Sequence, residues 1–193
     1  MLLLLTALTA VDAAPPPGFK QTDQDHGCTF YKGPKDANGN ETLFADCYWP
    51  EVTPEKMDQL LLRWDKHFTY YTTVTKSDVV GKKDGKTQVR QVHEAAGISD
   101  REVMLLMWKA PAKGGQRYQW TKDTDQSGRK DVGVLPDQDD GGWTVIPDPR
   151  GGVRVEYDLL YDPGGSVPGF VVRWFQGTGF VQIVGEMRAA AKP

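Results

Sequence analysis

Across residues 152–188 the hydrophobic pattern changes period once, and no other stretch restricts the fold so strongly. Val153, Val155, Tyr157 and Leu159 alternate with Arg154, Glu156 and Asp158. A period of two with one apolar face marks a half-buried strand of an antiparallel sheet. Asp162-Pro163-Gly164-Gly165 ends that strand, because proline fixes φ and glycine permits positive φ. Beyond it the period lengthens. Ser166 is placed to cap a helix and Pro168 to sit in its first turn, where a missing N–H costs nothing. Val167, Phe170, Val171, Trp174, Thr178 and Val181 then recur at three- and four-residue steps, one face of a helix of roughly twenty residues. A strand that turns at once into a long helix with an aromatic face needs a sheet for that face to cover.

The chain before it supplies the sheet. Residues 28–31 and 42–49 read as two strands around a turn-rich segment, in which Asn38-Gly39 is a strong hairpin dipeptide. Thr53-Pro54-Glu55 starts a helix whose apolar stripe is Met57, Leu60, Leu61 and Trp64, fading near His67. Residues 71–80, 87–94 and 101–108 follow as strands of a meander, with a turn at Lys83-Asp84-Gly85 and a corner at 97–100. Residues 103–108 are apolar without a break, as expected of a strand covered on both faces. Lys113-Gly114-Gly115 turns into a strand over 116–121, with Tyr118 and Trp120 on one face. Residues 123–140 read as a long polar loop, and 143–146 as a short strand. The sum is an α+β chain, one twisted antiparallel sheet with helices on one side.

At 193 residues, with a formal net charge of −3, the chain has the size of one domain. Its acidic balance argues against a nucleic-acid partner. Residues 1–14 stand apart. Leu2-Leu3-Leu4-Leu5 and the Thr/Ala run behind them form an apolar stretch of about ten residues, where a membrane-spanning helix needs ~20. Small residues and Pro15-Pro16-Pro17 follow. That is the order of a secretory signal peptide cut near Ala13 or Ala14, although no Lys or Arg precedes the apolar run. The alternative is a frayed apolar tail. Residues 15–27 are expected to be an extended lead-in and 28–193 one domain, monomeric and exported to the periplasm or out of the cell. Cys28 and Cys47 are the only cysteines. A hairpin centred near Asn38-Gly39 sets them almost opposite each other, which in an exported protein favours a structural disulfide. Two buried thiols are the other reading.

Three stretches resemble the START family, the lipid-transfer branch of the Bet v 1-like, helix-grip superfamily. They are Leu62-Arg63-Trp64-Asp65 at the end of the first helix, Ile98-Ser99-Asp100-Arg101-Glu102-Val103 at the start of the apolar strand, and residues 157–173. In the last, a strand ending in Tyr leads through Asp162-Pro163-Gly164-Gly165 to Val167-Pro168. Gly142-Trp143 before a short strand also fits. The resemblance spans residues 28–190; the family's opening helix and a shorter loop at 123–140 are what it lacks. It implies a curved sheet gripping the C-terminal helix, with an apolar tunnel between them for one lipid or sterol-like molecule. The residues agree, since a helix laid across a concave sheet either fills the space or leaves a cavity of the kind that binds small molecules.

Eight residues are candidates for contact with such a ligand: Arg101, Trp108, Tyr118, Trp120, Tyr157, Tyr161, Phe170 and Trp174. The aromatic ones suit a plain core equally well. Arg101 is placed either to reach a polar headgroup or to pair with a neighbouring carboxylate. His26, His67 and His93 lack ligand spacing, and neither a Gly-x-Ser-x-Gly elbow nor a phosphate-binding glycine loop occurs. No catalytic residue, metal or cofactor is therefore expected. Asp123-x-Asp125-x-Ser127-Gly128-x-x-Asp131 copies part of an EF-hand loop, but Val134 stands where the closing Glu belongs. A solvated hairpin loop is expected there. The expected function is binding of one hydrophobic molecule, and its transport with transient membrane contact. A polyketide cyclase or aromatase on the same scaffold is the alternative. It needs polar groups such as Arg101, Tyr118 or Glu156 to converge inside, and alternation turns Glu156 away from Tyr157. A filled fold serving as an interaction module is the third reading.

Overall fold

A computed structural model of the chain describes residues 15–36, 39–94, 97–112 and 114–193. The expected signal peptide at 1–14, Asn38 of the hairpin dipeptide and Lys113 of the turn lie outside the described residues. Among the described residues nine strands form one sheet: β1 (Lys20–Asp25), β2 (Cys28–Lys35), β3 (Glu41–Trp49), β4 (Val74–Lys83), β5 (Lys86–His93), β6 (Arg101–Ala112), β7 (Gly115–Lys122), β8 (Gln138–Pro147) and β9 (Val153–Asp162). Their order is β1-β2-β3-β9-β8-β7-β6-β5-β4, and every neighbouring pair is antiparallel. The chain builds β1 to β3, crosses over by a helix, and returns as a meander until β9 pairs with β3. The curved sheet and the long C-terminal helix make the chain an α+β, helix-grip fold.

The crossover begins with α1 (Pro54–Leu61), which starts as its sequence requires. Thr53 Oγ1 accepts from the Lys56 N–H at 3.2 Å and Pro54 opens the first turn. Met57 and Leu61 are buried, and a 3-10 turn (Trp64–Thr69) leads into β4. The lead-in is extended, but Lys20–Asp25 run along β2 as an edge strand, five of the six residues paired and Thr22 at a bulge. All six side chains are exposed; hydrogen bonds and not apolar burial hold β1, so no hydrophobic period announces it. Cys28 faces Cys47 in the register of β2 and β3, and the two are joined as a disulfide.

β6 is buried on both faces for a reason the composition hides. Val103, Leu105 and Met107 point into the core, and β7 pairs with β6 only from Leu105 onward. Over the earlier residues the 123–137 loop takes the place of a strand. Gln126 accepts from Met104 N–H at 2.9 Å and donates back to the Met104 carbonyl at 3.0 Å. Glu102 N–H donates to the Val134 carbonyl at 3.0 Å. The buried Glu102 carboxylate accepts from the backbone of Lys130 and Val132 and from Arg90 Nε at 2.6 Å. The loop is thus docked on β6 through Gln126 and its own backbone, while most of its residues remain exposed to solvent as expected. Asp123 is buried and held by Lys83 and Gln88, which takes its carboxylate out of any cation site. Among the described residues no group of acidic, His or Cys side chains is arranged to hold a metal.

The C-terminal helix runs through α2 (Gly169–Trp174), a π-helical segment (Phe175–Gly179) and α3 (Phe180–Ala191). It opens at Gly169; Ser166 does not cap it, and the Pro168 carbonyl accepts from Val171 N–H at 2.9 Å instead. The π segment inserts one extra residue into the repeat. The buried stripe is therefore Val171, then Phe180, Val184, Met187 and Ala191. Phe170 and Thr178, placed on the inner face by an uninterrupted 3.6-residue repeat, are turned outward.

Candidate functional site

The two halves of the C-terminal helix meet the sheet differently. Phe180 of α3 stacks on Tyr157 with ring centroids 5.2 Å apart, and Tyr157 stacks on Trp143 at 4.0 Å, both pairs inclined by 14°. Phe30 meets Phe180 edge-on at 5.8 Å. That end is solid. Beneath α2 and the π segment the helix stands off, and a cavity of about 290 Å³ lies between it and the concave face. Of the candidate residues, Arg101, Tyr118, Trp120, Tyr157, Tyr161 and Trp174 line it. Phe175 closes over Tyr161 at 4.9 Å. Gly179 has no Cβ to displace the Trp174 ring, which would lie 3.0 Å from one. Gly141 leaves similar room for Trp120, whose ring carbons approach to 2.7 Å of where a Cβ would stand.

Trp108 and Phe170 are not part of the lining. Val103, Leu105 and Met107 face inward, so Trp108 has the opposite parity and lies on the convex face, with Lys86 Nζ 3.8 Å from its ring centre. An unbroken apolar run carries no parity signal. Phe170 is 61% exposed, because the π segment shifts the phase of the buried stripe. Tyr118 offers only its ring: its hydroxyl donates to Asp58, which also holds Lys109. Glu156 is on the convex side with Arg154.

Arg101 is buried, and its partners are carbonyls, not a carboxylate. Nε donates to the Pro163 carbonyl at 2.9 Å, Nη2 to that of Gly164 at 3.1 Å, and Nη1 to that of Ser99. The strand-to-helix turn is therefore pinned by a guanidinium from β6. The strand partner of Glu102 is Val92, which has no carboxylate to offer Arg101, and Glu102 itself binds Arg90 on the other face.

Polar groups do converge in the cavity, from residues the sequence reading passed over. Gln91 and His93 lie on β5 with the same parity as buried Val89, and Asp139 lies on β8 opposite Tyr161. Gln91 Nε2 contacts Ser77 Oγ at 2.9 Å and His67 Nδ1 at 3.0 Å, while Gln91 Oε1 is 3.0 Å from His93 Nε2. Trp120 Nε1 donates to Asp139 Oδ1 at 2.8 Å. Burial pushes Asp139 up to about 7 despite that bond, and Asp140 adds to the rise. Burial likewise holds His67 and His93 neutral, lowering each to about 4. One signal was available: a strand in which Gln and His share the parity of a buried Val.

Several solved structures with this architecture are lipid-transfer proteins by name. The chain is similar to a STAR-related lipid transfer protein from Xanthomonas axonopodis at 17% identity and a TM-score of 0.74, over 90% of this chain and 97% of that one. Human StAR-related lipid transfer protein 5 is similar at 16% identity and 0.77, over 92% and 88%. The di-domain ARO/CYC protein BexL of the BE-7585A biosynthetic pathway is similar at 12% and 0.54, over 79% of this chain and 50% of that one. No family model and no curated protein matches the sequence. The chain has a START/Bet v 1-like fold, as the three short stretches suggested.

Proposed function

We propose that the protein binds one lipid or other hydrophobic small molecule between the concave face and α2, and carries it between membranes. The observation that supports this most is the cavity of about 290 Å³ walled by Trp120, Tyr157, Tyr161 and Trp174, close to the range of small-molecule sites. Burial of the ligand's apolar surface supplies affinity, at roughly 25 cal/mol per Å² before the costs of association. Phe170 and Trp174 are 61% and 37% exposed beside the cavity. Such aromatic side chains suit the interfacial layer of a bilayer, where α2 moves aside about the π segment during exchange. A leader at 1–14, a single domain over 28–193 and the disulfide together suit a monomer exported to an oxidising compartment. Among the described residues no helix is long and apolar enough to cross a membrane.

Native mass spectrometry of the purified protein, with organic extraction, tests the reading. One hydrophobic molecule per chain is expected. A chain that releases nothing and also fails to take up Nile red from buffer sinks it.

A second reading, a cyclase or aromatase of the polyketide type, draws on one observation: Asp139 and His93 converge inside the cavity. It requires turnover of a poly-β-ketone that is lost in Asp139→Asn while binding is kept.

A further inference from the structure

The hydrogen bonds under the cavity floor decide which polar atoms can give a hydrogen and which can only take one. The Trp64 carbonyl can only accept, so the Ser77 hydroxyl donates to it. Ser77 Oγ then accepts from Gln91 Nε2 at 2.9 Å, and the second hydrogen of that amide goes to His67 Nδ1 at 3.0 Å. Gln91 Oε1 is thereby turned to His93, whose Nε2 has to donate across 3.0 Å. A neutral His93 is left with Nδ1 as a bare acceptor, 3.8 Å from Asp139 Oδ2. Trp120 occupies Asp139 Oδ1, whereas the buried Oδ2 has no partner. Unpartnered buried polar atoms of this kind are costly and call for an explanation. The gap is too wide for a direct hydrogen bond and narrow enough for one oxygen to touch both sides.

The surrounding charge restricts that oxygen further. Arg101 is the cross-strand neighbour of His93, and Asp139 that of Tyr161. A cationic head at the gap meets the Arg101 guanidinium, and an anionic head, which has no hydrogen to give, sets a lone pair against the acceptor His93 Nδ1. Resting on the binding reading above, we propose that the bound molecule carries an uncharged hydroxyl, held between Asp139 Oδ2 and His93 Nδ1. The hydroxyl accepts from protonated Asp139 and donates to His93. Burial, which keeps Asp139 protonated up to about pH 7 and His93 neutral, favours that arrangement.

The test uses the full chain, stripped of lipid and loaded with Nile red, a neutral dye. Four displacing probes of similar length are compared: dodecanol, its isomer methyl undecyl ether, dodecanoate and dodecylammonium. Dodecanol is expected to bind roughly tenfold more tightly than the ether, which keeps the oxygen and loses the donor. His93→Phe is expected to cut that preference below about threefold while dye uptake persists. Asp139→Leu is expected to weaken alcohol and ether alike, because both oxygens accept from Asp139, and Asp139→Asn, which can still donate, retains most of the affinity for each. Equal affinity for alcohol and ether in the unmodified protein overturns the inference, since water then fills the gap, and leaves the binding reading standing. Tightest binding of dodecanoate or dodecylammonium overturns it as well. Failure of the dye and all four probes to bind removes the binding reading and this inference with it.

Discussion

The C-terminal helix is one continuous element with two unlike halves. α3 buries Phe180, Val184, Met187 and Ala191 and is locked to the sheet through the Trp143–Tyr157–Phe180 stack. α2 buries only Val171 and leaves a cavity below it. Both halves are rich in apolar residues, so hydrophobic content does not separate them. Phase does. The π segment between them offsets one stripe from the other by a residue, which carries Phe180 into the core and leaves Phe170 in solvent. One half therefore contributes stability and the other is free to contribute a site.

Substitutions should split along that line. Phe180→Ala is expected to cost about 4 kcal/mol, the usual range for truncating a buried aromatic, read as a lower urea midpoint. A loss below about 1 kcal/mol would mean that the packed half is not packed.

The polar end of the cavity predicts a pH signature of nearly the same size. Asp139 has a folded value of about 7 against 3.8, so the folded state holds the extra proton. Its contribution is present below about pH 4 and is lost as pH rises through 7. His67 and His93, lowered from 6.5 to about 4, behave oppositely: their contribution is present above 6.5 and lost as pH falls through 4. Asp139→Asn removes the first effect alone. Its stability relative to the unmodified protein should rise by roughly 3 kcal/mol between pH 5 and pH 8. Tyr157, Tyr161, Asp140 and Lys122 also act on or feel this carboxyl, but none changes the sign. A stability difference that is the same at both pH values would place Asp139 in a far wetter setting.

Reduction of the Cys28–Cys47 bond, which closes a 19-residue separation, should cost about 3 kcal/mol. Phe30 beside it packs on Phe180, so the loss belongs to the solid half, and Nile red uptake should persist well below the new melting temperature. The smallest effect on stability is expected at the open end. Trp174→Ala should change folding by under about 1 kcal/mol and yet weaken dye binding severalfold. Equal losses in both measurements would make Trp174 ordinary core and erase the contrast between the halves.

Much of this was legible in the residues. Alternation placed Tyr157 and Tyr161 on the inner face of β9, Thr53-Pro54 marked the start of α1, and the hairpin set Cys28 against Cys47. Each rests on local periodicity or turn chemistry, which operates over a few residues of chain. β1 was not legible as a strand, because an exposed edge strand needs only backbone partners. Trp108 was misplaced because an unbroken apolar run leaves parity undetermined until neighbouring strands impose a register. Asp139 read as loop because Asp and Gly are loop residues by propensity; its place on β8 is imposed by β7 and β9 on either side.

What the sequence determined by itself, then, is the series of elements and the closing strand-turn-helix unit, since these follow from periods of two and of three to four. Only the tertiary structure decided whether the helix fills the sheet or roofs a cavity. That outcome depends on a single-residue phase shift in the π segment and on Arg101, which reaches across from β6 to hold the turn at Pro163 and Gly164. Those interactions join residues some sixty positions apart, and no local pattern records them.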